Sequence, residues 1–134
     1  MLESIEVADV IPASPKQIYD AWLDSAGHTA ITGGSQAKVD PRPGGQFSAW
    51  DGYISGTTLE LEPNRRIVQA WRTTEFPEGS QDSRLEVLLE KASGGTRVTF
   101  RHSDIPEGQG GEYAQGWLDF YVEPMKRHFG GEHD

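Results

Sequence analysis

Four histidines are the residues best able to carry metal or proton-transfer chemistry in this sequence: His28, His102, His128 and His133. Zinc enzymes commonly place two histidines four residues apart on one helix face and complete the set with a carboxylate or a cysteine. No two of these histidines have that spacing, and the sequence contains no cysteine. We therefore expect no metal site, no cofactor and no catalytic set of a known pattern.

His102 is the most informative of the four, because it ends a run of alternating residues in which Val98 and Phe100 face inward. A buried imidazole is either a proton-transfer group or a core histidine whose nitrogens are hydrogen bonded. We favour the core histidine, with a backbone carbonyl or the hydroxyl of Tyr113 or Tyr121 as its partner.

Two carboxylates, Asp104 and Glu107, follow His102 in a loop that contains proline and glycine. A histidine beside an aspartate could act as a general acid-base pair. Carboxylates in such loops usually point into solvent, so a dyad of His102 and Asp104 is the less favoured interpretation.

The serines do not lie in a nucleophile elbow, and the glycine-rich segments lack the spacing of phosphate-binding loops. What remains is a large set of aromatic side chains, which either fill the core or line a cavity. The residues that we predict to line a ligand cavity are Trp50, Trp71, Phe100, His102, Tyr113, Trp117, Phe120 and Tyr121.

One predicted helix must position four of these candidates. At about 100° per residue, residues 111–129 place Tyr113, Trp117, Phe120 and Tyr121 on one broad side. An apolar side this wide must lie in a concave surface, touch a second element or roof a cavity. Pro124 falls inside the segment and predicts a kink, and two glycines at 130 and 131 predict its end.

The segments before that helix predict one strand followed by two short helices. Residues 3–11 alternate loosely and stop at a proline, which is typical of a strand. Residues 14–17, Ser-Pro-Lys-Gln, have the pattern of a helix capping box, with Ile18, Ala21 and Trp22 on the buried face. Residues 24–32 predict the second short helix.

From residue 36 onward, turn-forming residues separate short β-prone segments, which predicts an antiparallel meander. Within it, residues 84–90 and 96–102 alternate as the two strands of a half-buried hairpin. The predicted fold is α+β, with a curved antiparallel sheet that grips a long C-terminal helix. We expect one domain over residues 1–134, with a frayed tail from about residue 131.

The charge of the sequence limits its partners. Twelve basic and 21 acidic residues give a formal net charge of −9, which disfavours binding to nucleic acid or to anionic membranes. The first ten residues carry acids where a signal peptide carries basic residues, and no later apolar run reaches the length of a membrane span. We expect a cytoplasmic protein.

Four segments, in this order and spacing, closely resemble the activator of heat-shock protein 90 ATPase family: 44–56 (GGQFSAWDGYISG), 61–72 (LEPNRRIVQAWR), 116–121 (GWLDFY) and 125–130 (MKRHFG). The resemblance implies a single-domain, bacterial-type member with a START-like helix-grip fold, in the polyketide cyclase-like superfamily. In that fold two short helices follow the first strand. A hydrophobic cavity lies between the sheet and the long helix, and relatives use it for lipids and polyketides.

Three functions stay open at this stage. The first is a non-enzymatic domain that binds a small apolar or aromatic ligand, with a stress-related role. The second is a co-chaperone-like interaction module for a heat-shock protein 90 homologue, and the third is a cyclase-like enzyme that uses His102. We expect a monomer or a weak homodimer.

Overall fold

The computed structural model describes residues 1–130, in which one antiparallel sheet of seven strands curves around the C-terminal helical segments. The order of strands across the sheet is β1-β7-β6-β5-β4-β3-β2, so strands β2 to β7 pair with their neighbours in sequence, as the meander predicts. The strands are β1 (Glu3–Ile11), β2 (Lys38–Val39), β3 (Gln46–Ala49), β4 (Ile54–Glu62), β5 (Arg66–Thr73), β6 (Ser83–Ala92) and β7 (Gly95–Ile105).

Two short helices connect β1 to β2, as predicted. Helix α1 (Pro15–Trp22) begins with the predicted capping box: the Gln17 amide donates to the Ser14 hydroxyl at 3.1 Å, and the Ser14 amide donates to the Gln17 side chain at 2.8 Å. Its buried residues are Ile18, Tyr19 and Trp22. Tyr19 was not among the residues predicted for this face, and Ala21, which was, is only half-buried.

Helix α2 (Ser25–Ile31) follows after two residues, and its N-cap residue is Asp24. The Asp24 carboxylate accepts a hydrogen bond from the Gly27 amide at 2.7 Å, which satisfies one of the free donors at the helix start. This short helix buries His28 and Ile31 against the core.

The predicted hairpin is formed by β6 and β7. Its register sets Leu85 opposite His102, Val87 opposite Phe100, and Leu89 opposite Val98. These inward-facing residues are buried, and β1 extends the sheet on the far side of β7. The alternation in the sequence therefore locates His102 on the concave face.

The predicted long C-terminal helix is present as a continuous run of helical backbone from Gly110 to Gly130, but it contains a π-helical turn. Helix α3 (Gly110–Trp117) passes into a π-helical segment (Leu118–Val122), which is followed by helix α4 (Glu123–Gly130). The Glu123 amide donates to the carbonyl of Leu118, five residues earlier. Pro124 follows this turn directly as the second residue of α4, and it has no N–H to donate to the preceding helical turn.

The π-helical segment also corrects the predicted position of Phe120. Each residue of a π-turn advances less around the axis than a residue of an α-helix, so a wheel drawn at 100° fails beyond Leu118. Tyr121 and Val122 are buried at this turn, whereas the Phe120 side chain is 55% exposed.

Two further expectations concern membrane-spanning helices and the C-terminal tail. In residues 1–130 no helix is both long and apolar enough to cross a membrane. The predicted frayed tail from about residue 131, with His133, lies outside the described residues.

Candidate functional site

A pocket of about 430 Å³ lies between the concave face of the sheet and the C-terminal helical segments. This volume is within the range of small-molecule sites. Glu112 and Phe120 are exposed, so the mouth of the pocket lies beside them. Its walls are mostly aromatic and consist of Trp50, Tyr53, Ile54, Trp71, Glu112, Tyr113, Gly116, Trp117, Phe120 and Tyr121.

Six of the eight predicted cavity residues line this pocket: Trp50, Trp71, Tyr113, Trp117, Phe120 and Tyr121. The other two lie behind the wall. Phe100 stacks on Trp117 with ring centroids 4.7 Å apart and planes 10° apart. The His102 ring meets Trp71 edge to face at 4.5 Å.

Four lining residues were not predicted from the sequence: Tyr53, Ile54, Glu112 and Gly116. Tyr53 and Ile54 directly follow the Asp51-Gly52 turn, and Trp50 directly precedes it. Their closeness to Trp50 in the sequence could therefore have indicated them as pocket residues. Gly116 precedes Trp117, and its lack of a side chain leaves space at the helix surface.

Trp50 forms one wall in a strained backbone conformation. Its φ is +54° and that of Asp51 is +58°, a left-handed region that bulky residues rarely adopt. The turn directs the indole edge-on against Phe120, with centroids 5.5 Å apart, and against Tyr121 at 6.2 Å. The indole nitrogen Nε1 is buried and meets no acceptor in hydrogen-bonding geometry within residues 1–130.

The back wall is held by a buried pair of residues from distant parts of the chain. His28 Nδ1 donates to the carbonyl oxygen of Trp22 at 2.9 Å, so His28 Nε2 is the acceptor for the hydroxyl of Tyr121 at 2.8 Å. Burial lowers the pKa of His28 and raises the pKa of Tyr121, an effect that the nearby indole N–H of Trp50 partly offsets. Both side chains are therefore neutral at pH 7.

His102 is a hydrogen-bonded core histidine, but its partners are neither of the two predicted kinds, a tyrosine hydroxyl or a backbone carbonyl. The indole N–H of Trp117 donates to His102 Nδ1 at 3.1 Å, so the ring hydrogen is on Nε2 and is donated to Ser83 Oγ at 2.8 Å. The Ser83 hydroxyl donates in turn to the carbonyl oxygen of Trp71 at 2.7 Å. Burial lowers the pKa of His102 to about 3.

The alternative dyad of His102 and Asp104 is wrong. Both ring nitrogens of His102 already have partners, while the Asp104 side chain is exposed and its backbone is left-handed, with φ of +59°. The geometry leaves this histidine without a free nitrogen for proton transfer. Within residues 1–130, no group of three or more histidine, aspartate or glutamate side chains is placed to hold a metal ion.

Tyr113 is a wall residue whose hydroxyl is hydrogen bonded to neutral side chains and feels the charges of two carboxylates. Its hydroxyl donates to Gln109 Oε1 at 2.7 Å and lies 2.7 Å from Thr73 Oγ1. Burial raises the pKa of Tyr113, and the charges of Glu112 and Glu75 raise it further. Glu75 also accepts a hydrogen bond from the hydroxyl of Tyr53.

The chain is similar in sequence to activators of heat-shock protein 90 ATPase. The human activator of 90 kDa heat shock protein ATPase homolog 1 is 29% identical over 126 residues, which cover 94% of this chain and 37% of the human protein. The chain spans about a third of the length of the curated relatives that it matches.

Several solved structures have the same fold as this chain. An HSP90 activator from Plasmodium falciparum aligns with a TM-score of 0.81 and 25% identity, over 92% of this chain and 93% of that one. The Aha1 dimer from Colwellia psychrerythraea aligns with a TM-score of 0.78 and 20% identity, over 97% and 98% of the two chains. The profile of the family described as "Activator of Hsp90 ATPase homolog 1-like protein" matches residues 12–130. The chain belongs to this family and has its helix-grip fold.

Proposed function

We propose that this protein is a non-enzymatic START-like domain that binds a small apolar or aromatic molecule between the sheet and the C-terminal helical segments. The observation that carries the proposal is the pocket of about 430 Å³ with mostly aromatic walls. Aromatic side chains contribute apolar contact area and favourable edge-to-face or offset ring contacts to a guest of this kind.

The polar groups behind the walls support binding over catalysis. His28 and His102 are buried, and each uses both ring nitrogens in hydrogen bonds within the protein. Neither side chain is free to accept a proton from a guest in the pocket. For this reason we do not propose the cyclase-like enzyme that uses His102.

The test is a titration with 2-naphthylmethanol, a neutral aromatic probe, followed by isothermal calorimetry and by thermal shift. We expect saturable binding by the wild-type protein and binding weakened about fivefold or more by Phe120→Ala, since one ring of the wall is lost. Leu59→Ala is the matched control, because Leu59 is 43% exposed and lies outside the pocket lining. If neither this alcohol nor a charged probe with the same aromatic body binds up to its solubility limit, the proposed function is excluded.

Family membership favours a second function, contact with a heat-shock protein 90 homologue. The human and Plasmodium relatives are named as activators of that chaperone, and this chain corresponds to about a third of the human one. The test is the ATP turnover of the chaperone from the same organism, with and without this protein, together with size-exclusion chromatography of the mixture. An unchanged turnover rate without a detectable complex would rule out this function.

A further inference from the structure

The mouth of the pocket carries a negative charge with no neutralising partner. Glu112 lines the pocket and is exposed, and within residues 1–130 it forms no hydrogen bond or ion pair. It lies in the first turn of α3, where a carboxylate also interacts favourably with the helix dipole. That interaction explains a carboxylate at this end of the helix, but it does not supply a counter-ion.

A second carboxylate lies behind the same wall. Glu75 accepts from the hydroxyl of Tyr53, which is a lining residue, and its charge raises the pKa of Tyr113, another lining residue. Among residues 1–130, no lysine or arginine lines the pocket. Arg72 does lie over the ring of Phe76, at 5.4 Å, but it is paired with Asp82 at 2.8 Å.

The aromatic walls, like the carboxylates, favour a positively charged guest. The face of an aromatic ring attracts a cation, most strongly for tryptophan, and the attraction grows when the cation is shielded from water. Three tryptophans line this pocket, together with Tyr53, Tyr113, Phe120 and Tyr121. An ammonium group at the mouth would therefore lie close to both aromatic side chains and an unpaired carboxylate.

We infer that the guest is an amphiphilic cation, with an apolar body inside the pocket and an ammonium group at the mouth beside Glu112. This inference rests on the proposed binding function and narrows its ligand to one chemical class. A neutral apolar molecule would use only the walls, and an anion would meet uncompensated negative charge at the entrance.

Three probes with one aromatic body test the inference: (2-naphthylmethyl)trimethylammonium, 2-naphthylmethanol and 2-naphthoate, titrated by calorimetry in low salt. We expect the cation to bind about tenfold more tightly than the alcohol, and the carboxylate to bind more weakly than both. Raising the ionic strength should reduce the advantage of the cation, because the contribution of exposed Glu112 is screened.

Glu112→Gln keeps the shape of the side chain and removes its charge, so it should cut the affinity advantage of the cation over the alcohol to about threefold or less. Glu90→Gln is the control, because it alters the net charge equally at an exposed residue outside the pocket lining. If the alcohol binds and the cation binds no more tightly, the inference is overturned while the proposed function stands. If none of the three probes binds, the proposed function itself fails.

Discussion

Trp117 donates the hydrogen of its indole nitrogen to Nδ1 of His102, at a distance of 3.1 Å. This contact joins helix α3 to strand β7 and fixes the imidazole as the tautomer with its hydrogen on Nε2. Ser83 and the carbonyl of Trp71 continue the chain of bonds on the sheet. Two pocket walls, Trp117 and Trp71, are therefore held in position by a neutral histidine that lies behind them.

His102→Ala should destabilise the protein by about 2–4 kcal/mol, measured as the free energy of unfolding in urea. The substitution removes a fully buried ring and leaves the indole N–H of Trp117 without an acceptor. His128→Ala is the control, since His128 is only half-buried and contacts the ring of Phe129; we expect a loss below about 1 kcal/mol. Similar losses for both variants would contradict the structural importance of His102.

The free energy of unfolding should fall as the pH is lowered from 7.5 to 5.0. Burial depresses the folded-state pKa of His102 to about 3, well below the ordinary value of 6.5, so in this window the unfolded chain binds a proton that the folded protein excludes. This one group accounts for a loss of about 2 kcal/mol at pH 5.0, and buried His28 acts in the same direction.

Urea unfolding at the two pH values measures this loss directly. The window lies above the range in which Glu3 and Asp9, carboxylates whose folded-state pKa values are lowered by hydrogen bonds, begin to lose their contribution. In His102→Gln the loss should shrink by about 2 kcal/mol. A wild-type stability that does not change between pH 7.5 and 5.0 would show that His102 is not buried in its neutral form.

Two glycines should respond to alanine in opposite directions. A Cβ atom on Gly56 would lie 1.8 Å from the carbonyl oxygen of Ala70 and 2.8 Å from the ring of Phe47, so Gly56→Ala must displace β4 from β5 or prevent folding. Gly111 has open space around its Cα within α3, and Gly111→Ala should stabilise the protein by about 0.5–1 kcal/mol. Thermal unfolding compares the two variants, and a Gly56→Ala protein as stable as the wild type would contradict the described pairing of β4 with β5.

Local patterns predicted the fold where the interactions are local. The capping box of Ser14 and Gln17 lies within four residues, and the alternation that turns Phe100 and His102 inward is visible in the strand itself. These signals are strong because one short segment contains both the cause and its effect.

The partners of the buried histidines could not be predicted in the same way. Tyr121 bonds His28 across 93 residues of sequence, and the tertiary packing brings the two side chains together. The π-helical turn that exposes Phe120 has no clear pattern in the sequence, since Pro124 indicates an irregularity and not its type. The left-handed backbone of Trp50 contradicts the ordinary preference of tryptophan.

The most direct test of the central claim is an anomalous difference map at the bromine edge from crystals grown with 6-bromo-2-naphthylmethanol. The account predicts a bromine peak within the aromatic pocket, among Trp50, Trp71 and Phe120. Crystals that contain the probe only outside this pocket, with the aromatic rings closed against one another, would contradict the claim that these walls hold a guest.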